Sequence, residues 1–301
     1  LVFLAAKLVA MRVIESSELI LNQDGSVFHL HLKPEQLADT VILVGDPGRV
    51  ETVSSYFDRV ELTVSNREFK TCTGTYKGKR ISVVSTGIGT DNIDIVVNEL
   101  DALANIDLAS RTVKANHTKL TLVRLGTSGV LQPEIELGSS VLTEISIGFD
   151  GLLNFYANRN GICDLEMEQA FLKHTQWNPL CAKPYFCHSS RKLVELFAGI
   201  TVKGVTISAP GFYGPQGRVL RLPLADPTLN DKIVDFRYKG YKITNFEMES
   251  SAINGLSLLL GHDSVTICTI IANRVVKDAK VDYQLAMKNL IENTLNRLAS
   301  I

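Results

Sequence analysis

Apolar, β-branched runs recur along the whole chain, and each is followed by a glycine-bearing or polar link and then by a stretch with helical spacing. "TVILVGDPGRV" (Thr40 to Val50) is a buried strand entering a Gly/Pro turn. "ISVVSTGIGTDNIDIVVNELDAL" is a second strand, a glycine turn and an amphipathic helix. "KLTLVRLGTSGVL" repeats the pattern, and "SSVLTEISIG", "VKGVTISAPGFYG", "KITNFEMES" and "SVTICTIIANRV" add further strands. The tail "YQLAMKNLIENTLNRLASI" has apolar residues at helical spacing. Strands alternating with helices along the full length predict an α/β fold built on one central sheet. No linker, repeat or low-complexity stretch interrupts the 301 residues, so one domain over 11–301 is expected. Residues 1–10 read as a cloning remnant or an appended leader. Their apolar run is interrupted by Lys7, is too short to span a bilayer and has no basic segment before it.

The net charge of −1 points away from a nucleic-acid or membrane partner, so any anion site must come from a few converging arginines. The five cysteines, Cys72, Cys163, Cys181, Cys187 and Cys268, show neither CxxC nor zinc spacing. A scattered set fits a reduced, cytoplasmic compartment, with the thiols acting as small buried hydrophobes.

In open α/β sheets, ligands bind beyond the carboxyl ends of strands. Four links there carry chemistry and are expected to be turns: "GDPGRV", "STGIGT", "VRLGTSG" and "NFEMES". A dinucleotide reading of the second fails, because Gly87-x-Gly89-x-x-Asn92 lacks the third glycine and an acidic partner strand. Arg49, Arg67 and Arg124, with the open backbone of Gly45 and the Thr127 hydroxyl, suit a phosphate if the fold brings them together. In "GFYGPQGR", Phe212 offers an aromatic face, Gln216 both a donor and an acceptor, and Arg218 a guanidinium, a set that suits a planar heterocycle. The acids Glu247 and Glu249 flank Met248 just before a small apolar run. Taken alone, they also fit the first turn of a helix, where carboxylates complement the dipole.

From about Ser26 onward the chain resembles the uridine phosphorylases of the nucleoside phosphorylase-I family. "VFHL", "GDPGRV", "SNREF", "STGIG", "RLGTSG", "FYGPQGR", "NFEMES" and "ANR" occur in that family's order and at similar separations. The resemblance implies a mixed, barrel-like sheet wrapped by helices. It implies phosphate contacts from Gly45, Arg49, Arg124 and Thr127, with Arg67 reaching into the neighbouring subunit's phosphate site. It implies ribose contacts from Thr127, Met248 and Glu249, with Glu247 beside them and His29 crossing the interface. It implies a base pocket of Phe212, Gln216 and Arg218, with Arg274 nearby. Arg49, Arg124, Arg218 and Glu249 are then the catalytic set. The implied reaction is phosphorolysis of uridine to uracil and ribose 1-phosphate, with inorganic phosphate as co-substrate, no required cofactor and a homodimer or a hexamer as the assembly. A structural cation at the interface would involve Glu68, the Ile88 carbonyl and Asn92, although Asn92 departs from the bacterial pattern. The rivals are a purine nucleoside phosphorylase of the same fold, a nucleosidase using water, and a non-catalytic nucleoside-binding protein. Asn273 and Arg274 stand where purine enzymes typically carry an aspartate, which favours pyrimidines.

Overall fold

The computed structural model describes residues 12–273, 278–279 and 282–301. Residues 1–10 and Arg274 therefore lie outside the described residues. In chain order the elements are β1 (Thr40–Val44), α1 (Pro47–Ser54), β2 (Arg59–Asn66), β3 (Phe69–Tyr76), β4 (Lys79–Ser85), α2 (Thr90–Asn105), β5 (Ile106–Asp107), β6 (Thr112–Val113), β7 (Thr121–Val130) and β8 (Ser140–Gly148). There follow α3 (Leu165–Thr175), β9 (Tyr185–His188), α4 (Arg191–Phe197), β10 (Val202–Ser208), α5 (Leu229–Asp235), β11 (Arg237–Tyr238), β12 (Tyr241–Glu247), α6 (Ser250–Leu260), β13 (Asp263–Asn273), β14 (Asp278–Ala279) and α7 (Gln284–Leu298).

All five residues of β1 are buried, as a continuous apolar run demands of a strand covered on both faces. It pairs in parallel with β4 on one side and β7 on the other. Strands β12, β10, β8, β13 and β7 close into a ring. The β12–β10, β10–β8 and β13–β7 pairings are parallel, and β8–β13 and β7–β12 are antiparallel. The result is a five-stranded mixed barrel from which β1, β4, β3 and β2 extend as an open wing. Helices cover it. Val96, Val97 and Leu100 of α2 meet Ile253 and Leu256 of α6 in one core cluster. Leu290, Ile291 and Leu295 of α7 pack against Ile42, Val123 and Ile267 in a second. Each such aliphatic side chain, fully buried, contributes about 1.5–3 kcal/mol.

One expected turn is corrected. "RLGTSG" lies inside β7, which continues as strand to Val130 and is not followed by a helix. Arg124 pairs with Leu43 on one side and Thr266 on the other, so neighbours flank the backbone there on both sides. The strand then reaches β12 through Gly129 and Val130, and this contact closes the barrel. Glycine serves here for close side-chain approach, not for a reversal.

Candidate active site

Strand β12 ends at Glu247 and α6 begins at Ser250, so Met248 and Glu249 form the link between them. The two acids flanking Met248 do different work. Glu247 Oε1 accepts hydrogen bonds from Ser208 Oγ at 2.6 Å, Ser250 Oγ at 2.7 Å and Ser250 N at 3.0 Å. Its Oε2 accepts from Glu249 N at 2.9 Å and Ser250 N at 3.0 Å. Glu247 thus satisfies free N–H groups at the start of α6, as a capping carboxylate does. Glu249 instead accepts from Gly89 N at 2.8 Å, in the β4–α2 turn, and pairs through Oε2 with Arg124 Nη2.

Arg124 is almost fully buried, and its Nη1 lies 3.3 Å from Glu247 and 3.6 Å from Cys268 Sγ. Gly126, two residues along the same face of β7, makes the room. A Cβ there would sit 2.2 Å from Arg124 Nη1. One guanidinium thus serves two buried carboxylates. Burial opposes its charge, but Glu249 and Glu247 outweigh that and hold its pKa above the ordinary value. Burial also pushes Glu249 up to about 7, with Arg124 opposing and Glu247 adding to the rise. The buried Cys268 thiol is pushed up to about 12.

The wing brings the glycine turns alongside. Asp46 caps α1 by accepting from Gly48 N at 2.9 Å. Arg49 then points back to β7, its Nη1 3.4 Å from the Leu125 carbonyl. A Cβ on Gly45 would lie 3.4 Å from the Gly87 carbonyl, so the β1 and β4 turns are in contact. Gly45 follows the end of β1 and Arg49 lies in the first turn of α1, whereas Arg124 and Thr127 lie within β7 itself.

The opposite wall is the 3-10 turn Gly214–Gln216. Arg218 donates from Nη1 to Gln216 Oε1 at 2.6 Å and lies 3.8 Å above the Phe212 ring. Burial lowers its pKa. Asn230 of α5 donates to the Gln216 carbonyl at 3.2 Å and holds the turn from behind. Between the walls lies a cavity of 560 Å³, lined among others by Thr127, Phe212, Gln216, Arg218, Met248 and Glu249. A second cavity of 510 Å³ lies behind the same turn. Its walls, which include Phe149, Trp177, Pro215 and Leu229, carry no arginine or lysine. Chemistry therefore favours the first, where carboxylate, guanidinium, hydroxyl and amide converge.

A family model described as the Phosphorylase superfamily matches residues 39–300. The chain belongs to the phosphorylase superfamily. It is 29% identical over 274 residues to a uridine phosphorylase of Thermococcus kodakarensis, covering 87% of this chain and 83% of that one. It is 26% identical over 243 residues to a DeoD-type purine nucleoside phosphorylase of Bacillus subtilis, covering 80% of this chain and 85% of that one. A solved Trypanosoma brucei nucleoside phosphorylase, described as showing uridine phosphorylase activity, superposes with a TM-score of 0.86 at 29% identity. That match covers 94% of this chain and 100% of the other.

Of the other residues singled out in this phosphorylase-superfamily chain, Ile88 lines the cavity, while Gly45, Arg49, Arg124, Arg67, His29, Glu68, Asn92 and Asn273 are not in its wall. Arg67 is exposed at the tip of the β2–β3 hairpin, its guanidinium 5.5 Å from the Phe28 ring centroid. His29 bonds through Nδ1 to Glu99 Oε1 at 2.6 Å, and the same carboxylate accepts from Leu30 N at 2.8 Å. Phe28, His29 and Glu99 border a separate depression that includes Asp94 and Tyr156. Glu68, Ile88 and Asn92 do gather around Gly87. A Cβ there would lie 2.4 Å from Asn92 Nδ2 and 3.4 Å from Glu68 Cγ. Asn92 Nδ2 lies 3.5 Å from the Ile88 carbonyl, so that oxygen already has a donor. Among the described residues, no group of three His, Cys, Asp or Glu side chains forms a metal cluster. Asn273 donates to the Gln132 and Ile135 carbonyls at 3.4 and 3.5 Å.

Sequence reasoning did not give roles to Ser208, which holds Glu247, or to the Gly89 N–H, which holds Glu249. It also passed over Tyr283, Ile271 and Ala272 in the cleft wall. A backbone N–H carries no residue signature, and Tyr283 reads as the opening of an ordinary amphipathic helix.

Proposed function

We propose that the chain is a uridine phosphorylase, a pentosyltransferase that converts uridine and phosphate to uracil and ribose 1-phosphate in cytoplasmic pyrimidine salvage. One observation carries the reading above the others: a cleft-lining carboxylate, Glu249, is backed by the buried Arg124 and shares the cavity with a Gln–Arg edge. Phosphate attack at C1′ stretches the N-glycosidic bond and puts positive charge on the sugar and negative charge on the leaving base. Catalysis needs an anion held under C1′ and donors aimed at the base.

Arg49 and Arg124, with the Gly45 backbone and Thr127, hold phosphate. Arg67 of the partner subunit covers its outer face. Glu249 in its ionised form accepts the ribose hydroxyls, and Met248 and Thr127 pack the sugar. His29 of the partner subunit meets the 5′-hydroxyl. Arg124 couples the two substrates, because the guanidinium that meets phosphate also fixes Glu249. Glu247 acts as a positioning residue, since its carboxylate already serves the α6 terminus. Phe212 stacks on uracil, while Gln216 and Arg218, joined by their own hydrogen bond, donate to the base and stabilise its departing charge. Arg274, the remaining candidate for the base, lies outside the described residues. The homodimer is the catalytic unit and a hexamer of three dimers the larger assembly. A structural cation at the subunit contact, held by Glu68, the Ile88 carbonyl and Asn92, neutralises the Glu68 carboxylate and takes no part in bond cleavage.

The deciding experiment measures uracil release from uridine with and without phosphate, beside hypoxanthine release from inosine. Uridine cleavage should require phosphate and exceed inosine cleavage by at least about tenfold, roughly the 1.4 kcal/mol of one base contact. Equal or better turnover of inosine would replace this reading with a purine nucleoside phosphorylase. Release without phosphate would make it a nucleosidase, and binding without release a nucleoside-binding protein.

A further inference from the structure

Two of the thiols meet outside the cleft. Cys187 of β9 is fully buried, and Cys163, between a 3-10 turn (Arg159–Gly161) and α3, is half-buried. They oppose each other in an isolated antiparallel bridge, and their Sγ atoms are 3.6 Å apart. Both are free thiols. Directly opposed antiparallel residues have Cα atoms about 4.5–5.5 Å apart. That lies inside the ~4.4–6.8 Å a disulfide accepts. The backbone spacing is therefore already suitable, and bonding needs the sulfurs to approach by roughly 1.5 Å, to ~2.05 Å. Cys163 lies outside any regular element, so its side of the pair is free to supply that movement.

The two thiols are chemically unequal. Arg159 is clamped by Glu168, Nη2 to Oε1 at 2.6 Å and Nη1 to Oε2 at 3.2 Å, and its buried Nε has no hydrogen-bond partner. The hydrogen bond from Cys187, helped by the Arg159 charge, holds Cys163 below the ordinary thiol pKa against the effect of burial. The same hydrogen bond and burial hold Cys187 well above it. A thiolate-prone, half-buried cysteine beside a protonated, fully buried one is the arrangement of an attacking and a resolving cysteine.

We propose that Cys163 and Cys187 are an oxidation site that takes a hydroperoxide, Cys163 reacting first and Cys187 resolving it to an intramolecular disulfide. The Cys163 thiolate attacks the hydroperoxide oxygen. An S–O bond forms, the O–O bond breaks, and the leaving alkoxide or hydroxide takes a proton to become an alcohol or water. The sulfur gives up two electrons and becomes a sulfenic acid. The Cys187 sulfur then attacks it. The S–S bond forms as the S–O bond breaks, and the Cys187 proton leaves with the hydroxide as water. The net change is two thiols and one hydroperoxide to one disulfide, one alcohol or water, and one water. The link fastens both ends of the excursion that holds α3 and the cavity-lining Trp177 and Cys181.

The test uses the full chain with Cys181→Ser, because Cys181 is exposed and free to form bridges between molecules. The protein is treated with hydrogen peroxide and analysed without reductant. The expected result is a mass lower by two hydrogens and a peptide map joining the Cys163 and Cys187 peptides, both reversed by dithiothreitol. In a Cys187→Ala variant, a dimedone adduct should accumulate at Cys163, where the parent shows none. Cys163→Ser should abolish both products. A bridge to another cysteine overturns the proposal, as do both thiols surviving peroxide or Cys187 oxidising equally well in Cys163→Ser. If Cys187→Ala does not fold, the parent's peptide map decides alone.

Discussion

Replacing Gly126 with alanine tests whether the crowding around Arg124 is what positions it. The added Cβ would lie 2.2 Å from Arg124 Nη1, 2.9 Å from its Cζ and 3.1 Å from Cys268 Sγ. Comfortable contacts between such atoms are about 3.5–4.0 Å, so the guanidinium or the strand must move by roughly 1 Å. The guanidinium has little freedom, being buried, paired to Glu249 and 3.3 Å from Glu247. Overpacking of this kind costs about 1–3 kcal/mol of stability. Without the clash the sign would reverse, because an alanine compatible with the backbone stabilises by about 0.4–1 kcal/mol through the unfolded chain. If the displaced group is also the phosphate ligand, kcat/KM for phosphate should fall by about 10- to 100-fold, the ~1.4–2.7 kcal/mol of one loosened charged contact. Urea unfolding and initial rates at varied phosphate read the two effects separately. In an Arg124→Ala background, studied below pH 6 so that Glu249 is protonated, the stability penalty should shrink to what the 3.1 Å approach to Cys268 Sγ leaves, which is the non-additivity expected of atoms in contact. A Gly126→Ala protein as stable and as active as the parent would refute the argument.

Three further outcomes follow from the same site. Glu249 holds its proton in the folded state up to about 7, against an ordinary value of 4.5, so this group's contribution to stability should fall as pH rises between those values. Because ribose binding needs the ionised form, kcat/KM for uridine should rise over the upper part of that window; a pH profile of Glu249→Gln that keeps the rising limb would assign it to another group. Glu249→Ala should lower transition-state binding by about 2–4 kcal/mol with folding retained, whereas Glu247→Ala should lower the unfolding free energy by about 2–4 kcal/mol, read by denaturant titration, by stripping the α6 terminus of a charged acceptor. Matching stability effects from the two acids would contradict their separate roles. Finally, mixing Arg67→Ala and Glu249→Ala proteins under subunit exchange should restore roughly a quarter of parental activity, since about half the dimers are mixed and each has one intact site. No recovery, with exchange verified by mass, would place Arg67 outside the partner's site.

Much of this protein is legible along the chain. The alternation of apolar strands with amphipathic helices implied an α/β domain, because periodicity reports which faces are buried. The "STGIGT" turn, the strand "KITNFE" and the helix behind it lie where those patterns put them, while "GDPGRV" turns only at Gly45 and Asp46 and is helical from Pro47. The spacing of "GFYGPQGR" also held, since Phe212, Gln216 and Arg218 interact within one short turn. Such contacts are local, and neighbours in sequence can meet without help from the rest of the fold.

Long-range pairing is another matter. "RLGTSG" looks like a turn because glycine usually marks one, yet β13, β1 and β12 all pair with that strand and keep it extended. The closing of five strands into a ring depends on Gly129 meeting Phe246, residues far apart in the chain. Nothing in "EMES" says which acid caps the helix and which faces the cleft. That was decided by Ser208 on one side and by Arg124 and Gly89 on the other. A side chain's type limits the bonds it can form, and its neighbours across the fold determine which of them it makes.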